Sequence, residues 1–135
     1  MRFRLRCVAA LNVLLFLAMT FNSGSALAQK ATLLCSGTFQ SPGVAASPTN
    51  ETIVVDYGLR IVNGPIGSPY SFTSLGETKI EFSTSYLTPD NTPMIAGGKM
   101  DRVSGDTTIM IKEQNPSQPF WIFYALSCHP ARPAF

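Results

Sequence analysis

A chain of 135 residues, 45% of them apolar, is long enough for one domain with a core of its own, and its 10 basic and 8 acidic side chains leave a small net charge. The positive surplus lies in the opening MRFRLR, which holds three arginines and no acid; beyond it the balance is 7 − 8 = −1. A near-neutral surface of this kind excludes nucleic acid and anionic lipid as expected partners, because both require a basic patch.

The basic start is followed by an apolar run from Val8 to Phe21 and a small-residue ending, Ala26-Leu27-Ala28. This tripartite order predicts a secretory signal peptide over residues 1–28, cut before Gln29. The run falls short of the roughly 20 residues that span a bilayer, and Asn12 interrupts it, so no membrane anchor is expected after cleavage. The predicted mature domain, 29–135, has 135 − 28 = 107 residues. Cys7 leaves with the signal, while Cys35 and Cys128 remain near the two ends. An even pair in an exported chain predicts a disulfide and a periplasmic or secreted location. Neither cysteine follows a Leu-x-(Gly/Ala)-Cys lipid-anchor pattern.

In chain order, strand signals dominate. ATLLCSGTF (31–39) is apolar and Thr-rich, and QSPGVAASPTN after it reads as a loop because of Pro42, Gly43 and Pro48. ETIVVDY (51–57) is β-branched and aligns Ile53, Val55 and Tyr57; Gly58 is the expected reversal into LRIVNG (59–64). YSFTSL (70–75) and TKIEFSTSY (78–86) follow, the second with Ile80 and Phe82 on one face and Lys79, Glu81 and Ser83 on the other. LTPDNTP is a turn cluster. MIAGGKMDRVSG and DTTIMIKE are separated at Gly105, and FWIFYALSC (120–128) is the most apolar strand. About eight short, evenly spaced strands predict an all-β antiparallel meander, closed into a small barrel or sandwich.

The stretch richest in chemical groups is KMDRVSGDTTIM (99–110). Asp101 and Arg102 are adjacent, so on a strand they point to opposite faces. Ser104 has no base at a recognisable spacing, since the only histidine is His129. Gly105 and Asp106 are turn formers. These residues are therefore expected to build a structural hairpin, not a catalytic site. His129 beside Cys128 lacks the further ligands a zinc site requires, and no Gly-rich phosphate loop occurs, so neither a metal nor a cofactor is expected. Asn50-Glu51-Thr52 matches a glycosylation sequon, which is read as coincidence.

The run GKMDRVSGD resembles the G-x-I-D-R-V-T-G hairpin of a group of short exported bacterial proteins of unknown function. The ending LSCHPARPAF, with Cys128, Pro130, Ala131 and Phe135, matches the Cys-x-Pro-Ala…Phe ending of that group, and ETIVVDYGLRIVNG is similar to its early hairpin. The basic residue of the ending is Arg132, one place earlier than in the group's pattern. The resemblance implies the fold and the exported compartment; the group has no activity to carry over.

The expected function is that of a non-enzymatic, monomeric, protein-binding module whose partner is another envelope protein. Small disulfide-closed barrels of this layout are similar to bacterial lysozyme inhibitors, where a polar loop enters the enzyme's cleft. On that reading the loop 87–93, with Leu87, Asp90 and Asn91, is the candidate binding element. A carrier of small apolar ligands, with a pocket lined by Phe82, Phe120 and Tyr124, is the alternative, and an envelope structural or stress component is the third.

Overall fold

The computed structural model describes residues 29–66, 69–115 and 120–132; the predicted signal segment 1–28 and Phe135 lie outside them. Eight strands run in chain order: β1 (Lys30–Ser41), β2 (Val44–Asp56), β3 (Ile61–Asn63), β4 (Tyr70–Leu75), β5 (Lys79–Leu87), β6 (Pro93–Asp101), β7 (Asp106–Glu113) and β8 (Trp121–Pro130). Each pairs antiparallel with the next, and β8 pairs with β1, so the meander closes into a barrel.

Alternation explains the interior. Ile53 and Val55 of β2, Ile80 and Phe82 of β5, Ile109 and Ile111 of β7, and Tyr124 and Leu126 of β8 are all buried at every-second positions. Cys35 and Cys128 belong to the same inward set. They stand opposite each other in the β1–β8 ladder and form a disulfide with a Cα–Cα distance of 4.0 Å. The covalent link thus lies on the seam that joins the first strand to the last.

Following paired residues round the wall gives the slant of the strands. The row from Ile122 runs through Ile111, Ala96 and Thr84, then Tyr70, Val62 and Val55, to Ala31 on β1. Leu33 pairs with Pro130, which puts Ala31 level with position 132, so the circuit returns 132 − 122 = 10 residues along β8. Such a shear requires strongly tilted strands.

Three sequence expectations are corrected. First, 40–50 is not an irregular loop: β1 and β2 form one long hairpin, turned at Pro42-Gly43 with Gly43 at φ 72°. Pro48 sits within β2, opposite Thr38. The narrow Cys35–Cys128 pair marks a non-hydrogen-bonded position, so the backbone groups of Cys35 turn to Glu51 of β2. The alternate positions of β2, Pro48 among them, then face away from β1, where a missing N–H costs no ladder bond.

Second, the strand expected over 59–64 is only Ile61–Asn63; the reversal falls at Gly58 as expected but runs on through residue 60. The Asp56 carboxylate accepts a hydrogen bond from the Leu59 amide (2.8 Å), and Arg60 takes the left-handed conformation at φ 57°. This turn delays the start of β3 to Ile61, and the strand ends at Asn63, before Gly64-Pro65. Third, Phe120 does not share the core face of Tyr124; it precedes β8 and is 45% exposed.

The lower end, where β2–β3, β4–β5 and β6–β7 turn, is tied by charged side chains. Lys30 lies 3.4 Å from the buried Asp56 carboxylate. Arg102 donates to the Gly76 carbonyl (2.8 Å) and lies over the Tyr57 ring, and Arg60 lies over Phe72. One guanidinium therefore joins three turns.

Candidate functional site

The Asp101–Asp106 hairpin is built from backbone hydrogen bonds. β6 ends at Asp101, whose carboxylate accepts from the Val103 amide (2.8 Å) and the Ser104 amide (2.9 Å). These two bonds, Ser104 first, hold the Asp101 carboxyl below the usual aspartate range. The Ser104 hydroxyl accepts from the Asp106 amide at 3.2 Å, so its oxygen is engaged in the turn. Gly105 has φ 82° and its carbonyl accepts from the Cys128 amide at 3.0 Å. A Cβ there would lie 2.0 Å from the Cys128 carbonyl oxygen. The Arg102 amide donates to the Thr78 carbonyl at 2.7 Å, and its guanidinium makes the contacts at Tyr57 and Gly76. The structure thus brings these four residues together at a corner that locks β6–β7 onto the disulfide-bearing strand.

The loop 87–93 is a self-contained turn. The Thr88 amide donates to the Thr92 carbonyl, the Asn91 amide donates to the Thr88 carbonyl, and Asn91 is left-handed at φ 62°. The Thr88 hydroxyl donates to the Asp90 carboxylate, and this bond is the main reason the Asp90 carboxyl is held below its ordinary range. Leu87, at 64% exposure, is the one apolar side chain it offers among Leu87, Asp90 and Asn91.

His129 is exposed on the outside of β8, beside Leu34 of β1. With Ser36, Asn50 and Thr52 it borders a shallow dent of about 280 Å³ over the disulfide seam. Among the described residues no three His, Cys, Asp or Glu side chains come together as metal ligands.

The pocket expected from Phe82, Phe120 and Tyr124 is not assembled. Phe82 is fully inside, edge-on to Tyr70 with ring centroids 5.4 Å apart, whereas Phe120 lies on the outer surface. The larger concavity is elsewhere: an outer groove of about 750 Å³ across β6, β7 and β8. Register places Ile95, Lys112 and Trp121 in one outward row, and Met110, Phe123 and Gln40 in the next. Phe120 also lines the groove.

These outward apolar side chains are the feature that sequence reasoning missed. The signal was present in FWIFYALSC, whose alternate positions are apolar on both faces near its start. A strand with two apolar faces and one interior must leave one face outside. Comparison with family models, with curated proteins and with solved structures returned no match to this chain.

Proposed function

We propose that this protein is a non-enzymatic, exported module that binds another protein of the cell envelope through the outer face of β6–β8. The observation that carries the reading is the contrast between that face and the rest of the wall. Outward positions on β1 and β5 are mostly polar, as in Thr32, Ser36 and Thr38, and Lys79, Glu81 and Ser83. The β6–β8 sector instead presents Ile95, Met110, Trp121 and Phe123 in a concave patch. Aromatic and methionine side chains are the types enriched at the centres of protein interfaces. A lipid-facing barrel would need an apolar belt on every strand and a polar lumen, and here both are reversed. The buried Cys35–Cys128 bridge is compatible with the oxidising compartment this role requires.

The test is capture from a periplasmic extract with wild type, Met110→Lys/Trp121→Lys, and Ser83→Lys as a control on the polar wall. Loss of the same partner in the first variant alone supports the reading. Equal capture by all three excludes this face. The lysozyme-directed version is checked separately by enzyme inhibition: no inhibition at micromolar excess removes it. The closed hydrogen bonding of Thr88–Thr92 favours the outer face over that loop.

A further inference from the structure

The barrel wall is closed by pairing, but unevenly. β3 meets β2 only at Val54–Asp56, so among the described residues β2 from Val44 to Ile53 has a strand on one side only. Two inward positions beside this interruption are Thr49 and Glu51. Both are half-buried, whereas Ile53 and Val55, further along the same face, are fully buried. The inner face of upper β2 is therefore less completely covered than its lower part. The Glu51 carboxylate accepts from the Thr49 hydroxyl at 2.6 Å.

On the other side of the interruption stands Tyr70, the first residue of β4. It is 0% exposed, and among the described residues its hydroxyl has no hydrogen-bond partner. A buried polar group without a partner is uncommon and costly, and it calls for an explanation. Burial, helped by the neighbouring Tyr86 and Tyr124, pushes its pKa up to about 12, so it is a neutral donor at any physiological pH. The strand slant brings Tyr86 and Tyr124, both inward-facing, to the level just above it. Three phenols and one carboxylate thus converge on the upper interior.

We infer that the upper barrel interior is a binding site for a small uncharged organic molecule, which enters beside β2 and accepts a hydrogen bond from Tyr70. Its apolar body would rest against Phe39, Met94 and Tyr124, and its oxygen, a carbonyl or hydroxyl, would meet the phenol. Glu51 repels an anion and receives an amide or hydroxyl donor. The Tyr70 hydroxyl is itself covered, so the approach requires a covering side chain to turn aside. Tyr86, half-buried near the end of β5, is the least held of the trio. This site is separate from the outer groove and does not rest on the protein-binding reading.

Benzamide is a suitable probe, with benzoate as its near-isosteric anionic counterpart. Amide NMR of the oxidised exported protein should show saturable shifts at Glu51, Tyr70 and Tyr124 with benzamide. Binding of benzoate at pH 7 should be at least about tenfold weaker, as expected for a charge brought next to a half-buried carboxylate. Tyr70→Phe should weaken benzamide about five- to tenfold, the worth of one hydrogen bond, without lowering Tm. Should that variant not fold, Glu51→Gln supplies the second arm, and it should bring benzoate up to the affinity of benzamide. Absence of saturable shifts, unchanged affinity in Tyr70→Phe, equal discrimination in Glu51→Gln, or benzoate binding the wild type as tightly as benzamide would each overturn the inference.

Discussion

At Gly105 two constraints coincide: a left-handed backbone, and the Cys128 carbonyl where a Cβ would lie. Gly105→Val should destabilise the domain by about 3 kcal/mol, combining left-handed strain with overpacking. Ser104→Ala, which removes one 3.2 Å bond at an exposed turn, should stay within about 0.5 kcal/mol of wild type. Urea titration of both variants checks the pair; comparable large losses would show that Ser104 does more than close a turn. The carboxylates carry a second residue-level expectation. Asp56, Asp90 and Asp101 all have pKa values held below the ordinary range, chiefly by hydrogen bonds from the Leu59 amide, the Thr88 hydroxyl and the Ser104 amide respectively. A carboxyl depressed in the folded state binds its proton more readily in the unfolded chain. Its contribution is therefore complete above the unfolded value near 4 and is lost as pH falls through the lower, folded values. Thermal melts should be flat in this respect from pH 7 to 5 and fall below pH 4. A Tm that rises on acidification would contradict the assignment.

Among the elements, β2 is the one whose environment changes along its length. Its lower part is paired on both sides, while its upper part relies on β1 alone among the described residues. Pro48 stands on that free edge, where it withholds an N–H from any strand that would add there. Pro48→Val should leave the melting temperature near wild type and increase self-association, measured by light scattering against concentration. A strictly monomeric variant would mean that the edge is covered. β8 poses the opposite problem, with apolar side chains on both faces. Tyr124 and Leu126 point into the core, and Trp121 and Phe123 point out. The two faces of one strand serve different ends: the inner holds the fold, and the outer is the surface proposed to hold a partner.

For the molecule as a whole, the Cys35–Cys128 bridge joins residues 93 apart and sits on the closing seam. Closing so long a loop restrains the unfolded chain by roughly 4 to 5 kcal/mol on the chain-entropy account. That is comparable to the entire net stability of a small domain. Reduction, or Cys128→Ser, should lower Tm sharply, and intact mass with thiol titration should find no free thiol at Cys35 or Cys128 in exported protein. Two free thiols in a fully stable protein would contradict the bridge. The ladder between β1 and β8 is long, from Leu33 to Gln40, so the reduced chain should keep β-rich circular dichroism below its lowered Tm.

Much of the architecture follows from sequence because its determinants are local. Period-two alternation in TKIEFSTSY, the turn formers at Gly105 and Asp90-Asn91, and the short, even spacing of strands already specify an antiparallel meander. The cysteines near the two ends mark which strands must meet. Tertiary structure decided what local patterns leave open. The register of β1 with β2 carries the hairpin through Pro48, because the proline nitrogen faces away from β1, where no ladder bond is lost. Closure and shear choose which apolar face of β8 goes inside, since alternation alone is symmetric between the two. β3 starts late, at Ile61, because of the Asp56–Leu59 turn and left-handed Arg60, an arrangement no composition rule favours at arginine, and it stops at Asn63, before Gly64-Pro65. That shortness opens the wall beside Glu51, and the strand slant gathers Tyr70, Tyr86 and Tyr124 from β4, β5 and β8. Residues so distant in sequence meet only through the curvature of the closed sheet, which no local period encodes.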